Sequence, residues 1–225
     1  MTDLSKYHVT IAVPCMDVVK TDFMASLVAL KNNGNASIAI EAGSLVYHSR
    51  EKLLVSAMDH NADFIFFVDS DMKFAPDTLL RLLQDAVEND LDMVSGLCFR
   101  RMYPTSPTMA KTLDYDFDAK TRKCTVNVPN YTDYPRDALF PVACSGLACT
   151  LIRMSAICEV IENEKMSPFQ PLFGLSEDYS FCIRMKAAKK KMWVDSRIKI
   201  GHIGQFVYGE DIFLKQEQEK EGEAE

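Results

Sequence analysis

No apolar stretch of this 225-residue sequence is long enough to span a membrane, and Met1-Thr2-Asp3-Leu4-Ser5-Lys6 lacks the basic and apolar regions of a signal peptide. No Cys-x-x-Cys occurs. The seven cysteines are odd in number, scattered, and mostly set inside apolar runs, which excludes a disulfide framework or a common zinc site. They read as reduced core thiols of a soluble, cytoplasmic protein. Basic charge is short: 25 Lys and Arg face 32 Asp and Glu, for a net charge of −7, part of it from the Glu- and Lys-rich end of the chain. The broad basic footprint of a nucleic-acid binder is therefore absent. Pro14-Cys15-Met16-Asp17 has no glycine, and there is no internal repeat or low-complexity core. What is present is a 48% hydrophobic chain of a length that suits one α/β domain. The reading is a single domain over 1–214 and a frayed acidic tail over 215–225.

Strand and helix patterns alternate through the first hundred residues. His8 to Pro14 reads as a strand, Val18 to Lys31 as a helix, Ala36 to Ile40 as a strand and Ser49 to Asn61 as a helix. Pro76 is placed just inside the next helix, which runs to about Asn89, and Asp92 to Phe99 is a further strand. That rhythm is the signature of a doubly wound, mostly parallel sheet. It breaks over 100–141, where five prolines mark an irregular or antiparallel insertion. Val142 to Arg153 returns to strand character. A helix over 155–164, a Pro- and Gly-bearing loop, a helix from Ser176 to Lys190 and short strands at 192–195 and 198–200 complete the pattern.

The chain is organised around Phe64-Ile65-Phe66-Phe67-Val68, which runs into Asp69-Ser70-Asp71. An apolar run of that kind is a strand buried on both faces. Its acids then lie at the carboxyl end, where open α/β sheets bind ligands. Two carboxylates held close repel unless a proton or cation joins them, and a divalent metal gripping a phosphate resolves the conflict. The same pattern also suits Asp71 as the cap of the following helix.

Four pieces occur in order: the strand ending in Pro14, Arg50 opening a helix, Val68-Asp69-Ser70-Asp71, and Ser176-Glu177-Asp178-Tyr179-Ser180-Phe181 followed by Gly201-His202. Together they resemble the nucleotide-sugar glycosyltransferases of the GT-A fold, close to glycosyltransferase family 2 and its small phage and bacterial members. The resemblance runs over about 8–205. The chain departs from it at Glu51, where many relatives carry Asn, and it has no Gln-x-x-Arg-Trp motif, keeping only Trp193.

The resemblance implies an α/β three-layer sandwich with a mostly parallel central sheet, and metal-dependent transfer of a sugar from a nucleotide donor, UDP-linked, with inversion. It implies Mn²⁺ or Mg²⁺ held by Asp71, with or without Asp69, and by His202; the imidazole favours Mn²⁺. Asp178 would take the acceptor's proton, with Glu177 orienting substrate. Pro14, Cys15 and Asp17 would hold the base, Glu41 the uracil edge or ribose, Arg50 the base or phosphate, and Asp69 and Ser70 the ribose or sugar. Ser145-Gly146 would lie beside the sugar. Ordinary structural roles exist for the same residues: an ion pair for Glu41 and Arg50, helix-dipole acids for Glu177 and Asp178, a β-bulge for Gly146, a backbone-bonded His202, solvated charges for Arg100 and Arg101. The acceptor implied is a glycan, protein, lipid or hydroxylated DNA base, the last disfavoured by the charge.

Two other enzyme classes share parts of the pattern. A haloacid-dehalogenase-like phosphatase also sets Asp-x-Asp after an apolar strand, but Lys73 stands where it carries Thr or Val. A sugar nucleotidyltransferase wants a Gly-rich loop after its first strand.

Overall fold

A computed structural model describes residues 2–204 and 207–222. The chain runs β1 (Val9–Cys15), α1 (Thr21–Ala29), β2 (Ala36–Ala42), α2 (Val46–Asp59), β3 (Phe64–Val68), β4 (Met72–Lys73), α3 (Thr78–Glu88) and β5 (Met93–Leu97). The insertion holds β6 (Met109–Ala110), β7 (Asp114–Asp118), β8 (Lys123–Asn127) and β9 (Leu139–Pro141). Then come β10 (Cys144–Ser145), β11 (Cys149–Arg153), α4 (Met154–Glu164), α5 (Glu177–Ala187), β12 (Met192–Lys199), β13 (Gly201–Ile203), β14 (Val207–Tyr208) and α6 (Glu210–Gly222).

The main sheet has seven strands in the order β2-β1-β3-β11-β5-β12-β9. β2, β1, β3, β5 and β12 run parallel; β11 is antiparallel to β3 and β5 on either side of it, and β9 is an antiparallel edge. β3 is buried at every position. Its alternating side chains feed two cores. Ile65 and Phe67 pack with Leu53 and Leu54 of α2, Ile157 of α4 and Phe181 of α5, while Phe64, Phe66 and Val68 pack with Phe23 of α1 and Leu79, Leu82 and Leu83 of α3. The i, i+3, i+4, i+7 spacing of Leu79, Leu82, Leu83 and Ala86 gives α3 its apolar stripe. Each such side chain contributes roughly 1.5–3 kcal/mol on burial.

Four expectations shift. Pro76 lies before α3, whose N-cap position is Asp77, so β4 and a turn separate Asp71 from the helix and Asp71 does not cap it. The two short strands expected over 192–200 are one, β12, whose pairing with β5 slips between Asp195 and Lys199. The segment from Lys215, expected to fray, continues α6 to Gly222, because Phe213 and Gln216 are buried and the Gln216 carboxamide accepts the Thr105 amide at 2.8 Å. The segment from Phe206 to Leu214 also reads as packing back: Phe206 lies outside the described residues, and Phe213 is buried against Phe99. The insertion does contain an antiparallel hairpin, β7–β8, and Phe117 on it meets Phe173 in the loop before α5 at 5.4 Å between ring centres. All seven cysteines are free. No helix among the described residues is long and apolar enough to cross a membrane.

Candidate active site

Parallel strands present their carboxyl ends to one edge, and the candidate residues gather there. Pro14 and Cys15 at the end of β1, Asp69, Ser70 and Asp71 after β3, and Arg101 line a cleft of about 390 Å³. Gly43 and Ser49 line it from the β2–α2 side. A larger hollow of about 490 Å³ lies between Lys73, Lys199 and the first turn of α6 and holds none of these residues.

The register of a small sheet, β14-β13-β4, delivers His202 to Asp71 across 131 residues. Met72 stands opposite His202, Lys73 opposite Gly201, and the Ile203 amide donates to the Asp71 carbonyl at 2.7 Å. Gly201 is required in that arrangement, since a Cβ there would run into Val207 of β14. The His202 Nδ1–H donates to the Phe99 carbonyl at 2.9 Å, which fixes the ring and leaves Nε2 facing Asp71 Oδ2 at 3.1 Å. Arg101 Nη1 donates to the same Oδ2 at 3.0 Å. Burial pushes the Asp71 carboxyl up, but the hydrogen bond and charge of His202, with Arg101, outweigh it and hold Asp71 below its ordinary value. Burial pulls His202 down; the bonds to Asp71 and Phe99 and the charge of Asp71 outweigh that and hold it above its ordinary value.

Asp69 faces the other way. Arg50 Nη2 donates to its two oxygens at 3.0 and 3.3 Å. Arg50 is 2% exposed, stacks over Phe67 with its guanidinium carbon 5.1 Å from the ring centre, and sends Nε to Glu177 Oε1 at 3.5 Å. Its Nη1 is buried without a partner. Burial pushes both Asp69 and Glu177 up against the pull of Arg50. Arg50 is therefore a buried clamp between β3 and α5, and Asp69, which also lines the cleft, accepts from Arg50 Nη2 with both oxygens.

Asp178 follows Glu177 in the first turn of α5, where the helix dipole favours an anion. Ser176 occupies the N-cap position, but its hydroxyl donates to Asp178 Oδ1 instead of capping the backbone; the Tyr179 amide also donates to Oδ1, at 2.8 Å. Gly146 lies against the other oxygen: a Cβ there would stand 3.5 Å from Asp178 Oδ2. Arg50, Gly146, Glu177, Asp178 and His202 do not themselves line the cleft of about 390 Å³, and two further expected nucleotide contacts also fall outside it. Asp17 is exposed on the loop after β1 and does not line it. Glu41 pairs with Lys52 at 2.5 Å in an adjoining hollow, because β2 is the sheet edge and its end turns toward α2. Arg101 is the residue that sequence reasoning left among solvated charges. It packs on Gly204, at which a Cβ would stand 2.9 Å from Arg101 Cγ and Cδ, a proximity with no signal in the sequence.

Among the described residues, no group of three or more His, Cys, Asp or Glu side chains is assembled to hold a metal. Asp71 and His202 nevertheless fit one as a pair. Two ligands at about 2.1 Å and at right angles stand about 3.0 Å apart, close to the 3.1 Å between Oδ2 and Nε2. One carboxylate and one imidazole suit Mn²⁺ or Mg²⁺, with the imidazole favouring Mn²⁺.

No protein-family model matches the sequence, and no curated protein sequence does. Solved structures do match. The crystal structure of A197 from STIV superposes with a TM-score of 0.56 at 18% identity, covering 88% of this chain and 86% of that one. A crystal structure of GalNAc-T7 with UDP, GalNAc and Mn²⁺ superposes with a TM-score of 0.57 at 10% identity, covering 88% of this chain and 44% of that one. GalNAc-T7 is a GT-A glycosyltransferase. The fold of this chain is GT-A-like. At such identities the likeness is one of fold, and the chemistry rests on the cleft itself.

Proposed function

We propose that this protein is a metal-dependent glycosyltransferase that takes a sugar from a nucleotide donor, UDP-linked, and transfers it with inversion to an acceptor hydroxyl. The observation that carries this reading is the Asp71–His202 pair, 3.1 Å apart, with Asp71 lining a cleft over the carboxyl ends of β1 and β3. A solved structure of similar fold contains UDP and Mn²⁺, which supports the choice of donor and ion. Residues of α2, α4 and α5 pack in one core and those of α1 and α3 in the other, which supports a three-layer GT-A arrangement.

In this reading Asp71 and His202 are the residues that would hold the ion. The bound ion neutralises charge growing on the leaving diphosphate. Arg101, 49% exposed at the cleft wall and bonded to Asp71, is the cation that would stand beside the phosphates. Pro14, Cys15 and Ser70 line the nucleotide side. Asp178 accepts the proton of the attacking hydroxyl, and Gly146 gives the sugar room beside it. Arg50, buried, keeps Asp69 at the cleft and Glu177 of α5 in place. The hairpin β7–β8 shapes the acceptor side.

A phosphatase reading gains less support, because Lys73 stands where the Thr or Val of that pattern belongs. A nucleotidyltransferase needs glycine between β1 and α1, and residues 16–20 contain none. The deciding experiment is calorimetry of UDP binding with and without Mn²⁺. Tighter binding with Mn²⁺ is expected; equal affinity in both would remove the metal from the reading. Hydrolysis assays over a panel of nucleotide sugars then name the donor.

A further inference from the structure

Away from the cleft, α3 and β12 meet through two acids. Asp195 is fully buried in β12, at the position where pairing to β5 begins to slip. Asp85 faces it from α3. Arg197 joins them: its Nη2 donates to Asp85 Oδ1 at 3.1 Å, and its Nε and backbone amide each donate to Asp195 Oδ1 at 2.8 Å. That accounts for one oxygen of each acid. The remaining two, Asp85 Oδ2 and Asp195 Oδ2, are both buried and have no donor. A buried carboxylate oxygen without a partner is costly, and one guanidinium balances one negative charge where two are present.

We propose that Asp85 and Asp195 share one proton between these two oxygens, forming a proton-operated latch that holds α3 on the irregular stretch of β12. The proton turns one carboxylate into a hydroxyl donor for the other, so both orphan oxygens are satisfied and one charge is removed. β12 leads directly through Ile200 into β13, so the latch secures the strand that carries the chain to His202.

The other charged groups around the pair do not replace the proton. Arg81, on α3 itself, acts on Asp85 only by charge. Arg153 from β11 is turned to the Ala86 and Leu91 carbonyls and to Asp90. Lys199 is turned to Glu210, and β5 contributes no charged residue. Burial, then the hydrogen bond and charge of Asp195, push Asp85 from an ordinary 3.8 up to about 7 against Arg197 and Arg81. A carboxyl raised in the folded state binds more protons there than in the unfolded chain between those two values. Stability therefore falls as pH rises from about 4 to about 7, and the loss is complete above that.

Asp85→Asn and Asp195→Asn each place a permanent N–H where the proton sits while keeping the oxygen that Arg197 binds. The test compares melting temperatures of the full chain between about pH 5 and about pH 8. The wild type should lose more than either variant, so the gap in favour of the Asn variants widens with pH. Parallel losses in wild type and variants overturn the latch. Should neither variant fold, assigned carboxyl ¹³C resonances of the wild type decide it. A carboxyl of this pair titrating near neutral pH is expected; both titrating below about pH 5 overturns it.

Discussion

Arg50 lies where water does not reach, with acids on either side of its guanidinium. Removing one partner of a buried ion cluster leaves unbalanced charge in a poorly solvated place. Arg50→Ala is therefore expected to lose roughly 3–5 kcal/mol, read from urea unfolding. Lysine restores the charge but not the fork, so Arg50→Lys should fall in between. The Asp71–His202 pair makes a pH-dependent prediction. Asp71 is lowered from 3.8 and His202 raised from 6.5, so their ion pair is complete between those values. It is lost as pH falls through the lowered carboxyl value and as pH rises through the raised imidazole value. A metal needs Nε2 without its proton, so Mn²⁺ should bind more tightly as pH rises through that upper value. Calorimetry at several pH values checks this; a flat profile would rule His202 out as a ligand, and His202→Ala should flatten it. Asp178→Asn should slow transfer by about 10²-fold or more while UDP affinity stays unchanged. Near-normal turnover in that variant would end its role as base.

At the scale of elements, β3 carries most of the design. Its five residues supply both cores and then release the chain into the cleft. Phe66→Ala should cost about 3–5 kcal/mol, measured by denaturant unfolding, because the ring is fully enclosed between the sheet and the α1 and α3 side. β4 and β13 are short, yet their register sets the distance from His202 to Asp71. Gly201→Ala should weaken Mn²⁺-dependent UDP binding more than Gly34→Ala, since the first pushes a Cβ into Val207 and the second meets open space. Paired calorimetric titrations of the two variants decide that comparison. The Gly34 change also acts as a control for backbone strain, because Gly34 has φ +81°.

Across the whole molecule, the alternation of strands and helices was legible because each element buries one face, and burial leaves a period of two or of 3.6 in the residues. Four parallel strands in the first hundred residues, the helices between them and the buried run at 64–68 follow from that pattern. The direction and place of β11 do not. An apolar run has no sign, and only the packed sheet shows Cys149–Arg153 lying antiparallel between β3 and β5. The acids at 69, 71 and 178 and the histidine at 202 were legible as candidates through their order and the family they resemble. Their division of labour was not. Asp69 and Asp71 look alike in sequence, yet Arg50 claims one while His202 and Arg101 claim the other, over separations of 19, 131 and 30 residues. Arg101 resembles any solvated cation until the chain closes on it. Sequence by itself determined which residues must leave water and which are able to carry charge, because those are properties of single side chains and their near neighbours. Tertiary structure decided which charges meet, because partners are chosen by distances that exist only after strands far apart in the chain have found their register.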